Sequence, residues 1–191
     1  TSMEKVGDRI YAVGVHGIII FSDDSGDTWT QAENVPYQNT ITDISCTSED
    51  LCWATGHDAT ILHSSDGGLN WVKQYDDYDF DAPLLSIHMY YDKEGLAIGA
   101  FALSLRTSNG GESWDYLFLD DDDYQPHLNY VYGDNQAWRK SAKDEGYAVG
   151  EIGKYYISDD RGLNWLVVDT GYIGSYWSGV KVDEGQSLLF G

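Results

Sequence analysis

Short stretches of alternating apolar and polar residues recur along the whole chain, and helical periodicity is nearly absent. Turn residues stand at each junction, so the stretches read as β-strands. Four kinds of strand follow one another. The first is apolar, as in Thr42–Cys46 or Leu84–Met89. The second is of the Trp53–Gly56 or Leu96–Gly99 type, and the third runs through Ile18–Phe21 or Thr60–His63. The fourth starts at a tryptophan and is wet on one side, as in Trp71–Tyr75.

The strands are laid over an internal repeat. Four segments share the pattern Ser/Thr-x-Asp/Asn-x-Gly-x-x-Trp: Ser22, Asp24, Gly26 and Trp29; Ser64, Asp66, Gly68 and Trp71; Thr107, Asn109, Gly111 and Trp114; Ser158, Asp160, Gly162 and Trp165. Their tryptophans are 42, 43 and 51 residues apart. Ten residues before each Ser/Thr lies Ala12-Val13-Gly14, Ala54-Thr55-Gly56, Ala97-Ile98-Gly99 or Ala148-Val149-Gly150. A further copy opens at Leu188-Leu189-Phe190-Gly191. Four strands in about 42 residues is the size of one propeller blade. The expected fold is therefore all-β: a β-propeller of four-stranded antiparallel blades. The repeats run about 10–39, 40–83, 84–127 and 128–177, with a partial one at 178–191.

The octapeptide has a structural rationale. It closes the hairpin between third and fourth strands, where glycine supplies a positive φ. The Ser and Asp side chains can accept bonds from the turn's N–H groups, and the Trp buries a large apolar area. Its acids are accordingly read as structural and none as catalytic.

These motifs resemble the Asp-box, or BNR, repeat of β-propellers. With the Ala-Val-Gly element, the likeness is closest to the photosystem II assembly and stability factor family and its bacterial relatives. It covers residues 10–191. The resemblance implies a ring of six to eight blades, of which about four are covered here. Read as starting and ending on a second strand, the chain is expected to be part of a longer one. A closed four- or five-bladed variant and an arc completed by another subunit are the other readings.

Successive loops alternate between the two faces of the disc. Asp-box turns share one face with the turns between first and second strands. The turns between second and third strands share the other with the connections between blades, and the resemblance implies that this second face carries the ligand site. Candidates there are His57, Asp58 and Glu151 in the turns, with Asp77, Tyr78, Phe80, Asp121, Asp122, Tyr124, Tyr172, Tyr176 and Trp177 in the connections. Rings can stack on a ligand, and carboxylates can accept hydrogen bonds or hold Ca²⁺. No Asp-x-Asp-x-Asp-Gly calcium loop is present, and no cofactor is required. His16, His57 and Glu151 are a further grouping, fit for a metal or an acid/base pair if they meet at the channel mouth.

Charge narrows the partners. Eleven Lys and Arg face 32 Asp and Glu, a net charge of −21. That argues against nucleic acid and against an anionic membrane surface. No apolar run is long enough to span a bilayer as a helix. A sialidase needs three clustered arginines, and the chain has only Arg9, Arg106, Arg139 and Arg161. The resemblance also implies a basic patch for a partner, but basic residues here are few and scattered. The densest basic spot, Arg139 and Lys140 beside Trp138, lies in an insertion in the fourth repeat.

Cys46 and Cys52 flank a short turn. Their spacing suits a cross-strand disulfide, and related repeats often carry such a pair; two buried thiols or a metal site are the alternatives. A disulfide implies the periplasm or the cell exterior. The leading expectation is a non-enzymatic, exported binding or assembly module with an acidic, aromatic face for carbohydrate or protein. The alternatives are a glycoside hydrolase using paired carboxylates, and a structural subunit of an extracellular assembly joined through open sheet edges.

Overall fold

The computed structural model describes residues 1–119, 124–133, 145–183 and 186–191. They form four four-stranded antiparallel sheets and a two-stranded one. The first holds β1 (Ser2–Val6), β2 (Arg9–Val13), β3 (Ile19–Ser22) and β4 (Thr30–Gln31). The second holds β5 (Ile41–Cys46), β6 (Cys52–Gly56), β7 (Ile61–Ser64) and β8 (Val72–Tyr75). The third holds β9 (Leu84–Met89), β10 (Gly95–Gly99), β11 (Ser104–Thr107) and β12 (Asp115–Tyr116). The fourth holds β13 (Leu128–Gly133), β14 (Gly146–Gly150), β15 (Lys154–Ser158) and β16 (Leu166–Asp169). Strands β17 (Ser178–Asp183) and β18 (Gln186–Phe190) pair with each other. The expected blade is thus found four times. Among the described residues no helix is long and apolar enough to cross a membrane.

The first sheet corrects the reading that the chain starts on a second strand. Ser2–Val6 pairs along β2, with Ser2 opposite Val13 and Val6 opposite Arg9, so this blade has its inner strand. The segment follows no Asp box and alternates weakly, and its Glu4 looks like a surface residue.

Inner strands β1, β5, β9, β13 and β17 stand side by side, and among the described residues no ladder joins one sheet to the next. Polar side chains stitch the seams instead. Glu4 Oε2 accepts from Cys46 N–H at 2.7 Å, and Asp43 Oδ2 from Ile87 N–H at 3.0 Å. Ser45 Oγ accepts from Met89 N–H at 3.0 Å, and Ser86 Oγ from Val131 N–H at 3.2 Å. Each bond satisfies a backbone donor on the edge strand of its sheet.

Apolar residues fill the same seams. Trp71, fully buried, joins Tyr11, Phe21, Ile41 and Leu62 between the first and second sheets. Trp114 packs with Trp53, Ile61 and Leu105 one seam later, and Trp165 lies against Tyr90, Ile98 and Tyr156 in the next. Each of these three box tryptophans therefore closes the seam with the preceding sheet. Trp29, with no described sheet before it, is 40% exposed.

Cys46 ends β5 and Cys52 opens β6 directly opposite, and the two form a disulfide across a Cα–Cα distance of 4.1 Å. This settles the three options left by the spacing.

Candidate functional site

On the Asp-box face the polar side chains are consumed locally. Ser22 Oγ donates to Asp24 Oδ1 (2.8 Å) and accepts from Gly26 N–H (2.8 Å). Asp24 accepts from Thr28 N–H (2.8 Å) and Thr28 Oγ1 (2.6 Å), and Trp29 Nε1 donates to the Gly26 carbonyl at 3.1 Å. Ser64, Asp66 and Gly68 repeat the pattern with Asn70 and Trp71. Ser158, Asp160 and Gly162 do so with Asn164 and Trp165. In the third box Thr107, Asn109 and Gly111 keep the backbone pattern, but Asn109 Nδ2 donates to Ser113 Oγ where the acids accept, and Trp114 Nε1 finds no partner. The hydroxyl and amide donors of Thr28 hold the Asp24 carboxyl down at about 2. Each box carboxylate is thus engaged on both oxygens by donors of its own turn.

The opposite face is built differently. Each turn between second and third strands has two residues in the left-handed region: His16 and Gly17, Asp58 and Ala59, Phe101 and Ala102, Ile152 and Gly153. The second of each pair turns its N–H onto the outgoing connection. Gly17 donates to the Asn39 carbonyl (2.8 Å), Ala59 to Ala82 (2.8 Å), Ala102 to Pro126 (2.9 Å) and Gly153 to Gly174 (2.6 Å). At Gly17 and Gly153 a side chain would run into the carbonyl of Tyr37 or Tyr172, so glycine is required there by space as well as by φ. Main-chain bonds thus fix the connections that carry the candidate residues.

Several of those candidates are already engaged. The Asp58 carboxylate accepts from Asn39 Nδ2 at 2.8 Å, and the His57 carbonyl from the Tyr37 hydroxyl at 3.0 Å. Glu151 Oε2 accepts from His127 N–H at 3.0 Å. Tyr78 receives the Lys73 ammonium on its hydroxyl (2.7 Å), with the same ammonium 5.1 Å from its ring centre. Tyr172 lies 4.9 Å from Tyr176, whose hydroxyl bonds Thr170. Trp177 and Tyr124 are exposed. Asp121 and Asp122, like Trp138, Arg139 and Lys140, lie outside the described residues. His16, His57 and Glu151 sit on separate turns. The structure does not assemble them: among the described residues no group of three His, Cys, Asp or Glu is placed to hold a metal ion.

Asp77 and Phe80 do converge with a neighbour. Asp77 Oδ2 accepts the Tyr116 hydroxyl at 2.8 Å, and Oδ1 accepts the N–H groups of Asp79 (3.1 Å) and Phe80 (3.2 Å). The Tyr116 hydroxyl, followed by the Phe80 amide, holds the Asp77 carboxyl below the usual range. The Phe80 and Tyr116 rings lie 6.5 Å apart. Behind them opens a cavity of about 470 Å³ between the third and fourth sheets. Leu103, Leu128 and Tyr156 form its buried floor, and Phe80, Phe101, Tyr116 and Phe118 its exposed walls. Among the described residues none that lines it is charged. Sequence reading found Phe80 through its acidic, aromatic run but missed the rest. Leu103 and Tyr156 look like ordinary strand residues, and their shared cavity depends on how two blades meet.

A second cavity, of about 210 Å³, lies among the inner strands and is lined by Glu4, Asp43, His88 and Tyr130 among others. Burial pushes the Glu4 carboxyl up to about 8 and raises Asp43, which accepts from Ser2 (2.7 Å) and Ser86 (2.7 Å). Burial lowers His88 to about 4, and its Nε2 has no partner. The carboxyls shifted upward by burial therefore lie among the inner strands, in bonds that cross the seams. The rim carboxylate Asp77 is shifted the opposite way.

A family profile described as photosynthesis system II assembly factor YCF48 matches residues 31–187. The chain belongs to that family. It is 29% identical over 163 residues to the photosystem II assembly protein Ycf48 of Synechococcus sp. (strain JA-2-3B'a(2-13)), covering 84% of this chain and 46% of that protein. It is also 29% identical over 110 residues to the photosystem II stability/assembly factor HCF136 of Arabidopsis thaliana, covering 56% of this chain and 25% of that protein. The chain thus spans about half the length, or less, of these curated relatives. The solved structure of YCF48 bound to D1 peptide aligns with a TM-score of 0.58 at 24% identity, over 71% of this chain and 43% of that one. The Cps50 (Swd1) propeller of Myceliophteria thermophila aligns with a TM-score of 0.74 at 13% identity, over 99% of this chain and 60% of that one. An ancestral GH74 enzyme aligns with a TM-score of 0.64 at 16% identity, over 84% of this chain and 22% of that one. At such identities these structures speak to the propeller fold alone.

Proposed function

We propose that the chain is a non-catalytic, protein-binding propeller that engages a segment of a partner protein on the face opposite the Asp boxes. One observation carries the reading: an aromatic-walled cavity, uncharged among the described residues, opens on that face, beside connections fixed by main-chain bonds. Apolar sites of this kind, with few polar groups, suit side-chain recognition. Membership of an assembly-factor family supports it, as does the complex of a relative with a D1 peptide. The disulfide supports an oxidising compartment on the exported side of a membrane, and a relative from Synechococcus sp. (strain CC9902) is described as a lipoprotein.

The test is fluorescence anisotropy with a labelled D1 peptide and its scrambled counterpart. Saturable binding of the first but not the second is expected. If neither peptide binds while xyloglucan oligosaccharides bind or are cleaved, the protein-binding reading fails and the carbohydrate one replaces it.

A further inference from the structure

We infer that the cavity between the third and fourth sheets seats an apolar side chain of the partner, Leu or Phe in kind, on a segment whose flanks carry Lys or Arg. This rests on the protein-binding reading above and adds the chemistry of the bound segment.

The shape argues for an anchor pocket. A volume of about 470 Å³ lies within the range of ligand-sized sites. Its floor of Leu103, Leu128 and Tyr156 is buried, while Phe118 at the rim is 77% exposed. Such a rim leaves apolar surface in water until something covers it.

The walls are set beforehand. Phe101 occupies a left-handed turn position, with its ring edge-on to His127 at 5.0 Å. Tyr116 is held by its bond to Asp77, and Phe80 by the Asp77 cap on its N–H. A pocket already ordered loses little freedom when filled.

Charge selects the flanks. Among the described residues no lining side chain is charged, but Asp77, Asp79 and Asp81 surround Phe80 in sequence, on a chain of net charge −21. The nearest cation of that connection, Lys73, is occupied by Tyr78 and by Asp76 at 3.5 Å. A segment with cations beside its anchor is drawn in by this field, and an anionic one is repelled. A free fatty acid would bring a carboxylate to the same acidic rim.

The probes are three labelled octapeptides sharing one length: Leu-Phe flanked by lysines, Leu-Phe flanked by glutamates, and Ser-Ser flanked by lysines. Binding to the intact chain is measured by anisotropy. The lysine-flanked Leu-Phe peptide is expected to bind at least about tenfold tighter than either other. Phe118→Ser and Phe101→Asn should weaken it by about thirtyfold. Both positions are exposed, so thermal melting should be unchanged. Ile173→Asp, 90% exposed on the connection after the fourth sheet, should leave binding as it is. Equal affinity for the glutamate-flanked peptide overturns the charge argument. Indifference to both Phe variants overturns the site, and uptake of an apolar dye with no peptide bound overturns the peptide anchor. If D1 peptide still binds to the Phe variants undiminished, only the pocket inference falls; if no peptide binds at all, the proposed function falls with it.

Discussion

The two faces of this propeller carry the same residue type to opposite ends. On one, Asp24, Asp66 and Asp160 recur at the same place in the repeat, and each carboxylate is used by donors within four residues of it. On the other, Asp77 sits in an irregular run and reaches across to Tyr116, 39 residues away. Acids that repeat in step with the fold belong to the scaffold. Acids that break the period are left to shape a surface. The comparison separates structure from site more sharply than residue chemistry alone.

The strongest way to break this comparison is to remove a box tryptophan. Trp71→Ala should cost about 3–5 kcal/mol, because its ring fills a closed seam. Trp29→Ala should cost far less, since the same motif position is 40% exposed there. Chemical denaturation of the two variants checks this. Equal losses would show that the hairpin and not the seam is what the ring stabilises.

Next in size is the disulfide. Reduction, or Cys46→Ser with Cys52→Ser, should lower stability by about 2 kcal/mol for so short a loop. Peptide binding on the far face should not change. A parallel loss of binding would mean that the two faces are coupled.

Asp66→Ala removes an acceptor from Ser64 and Asn70 and should cost about 1–2 kcal/mol. Asp79→Ala, on the other face, should stay within about 0.5 kcal/mol. A cost at Asp79 equal to that at Asp66 would erase the distinction between the faces.

A last effect, read as a slope against pH, lies among the inner strands between them. The Glu4 carboxyl, raised by burial to about 8, keeps its proton in the folded state where the unfolded chain has lost it. Its contribution is present below about pH 4.5 and fades as pH rises through 8. His88, lowered to about 4, works the other way: its contribution is complete above 6.5 and lost as pH falls through 4. Between pH 6.5 and 8, then, melting temperature should decline on the carboxyl side alone. Glu4→Gln should flatten that decline, and an unchanged slope would show that Glu4 is already ionised.

Much of the scaffold is legible in the residues, because a repeat states its rule four times. Leu84–Met89 is found where the alternating pattern puts it. The glycine of the Ala-Ile-Gly element is explained at Gly99, where a side chain would strike the Pro83 carbonyl as the inner strand enters. Strand Ser2–Val6 escapes because nothing repeats ahead of it and Glu4 hides a buried role behind a charged letter. The cavity escapes for a different reason. Leu103 and Tyr156 are 53 residues apart on two blades, and their meeting is set by the angle between sheets. No local pattern encodes that angle.

The main-chain bonds from Gly17, Ala59, Ala102 and Gly153 have one more consequence. A connection tied at its end through its backbone keeps that anchor point when the side chains along it change. The face can therefore exchange its recognition residues one connection at a time without disturbing the blades. A binding segment grafted between Tyr75 and Ala82 would inherit a ready-made frame, which makes this fold a natural chassis for diversification.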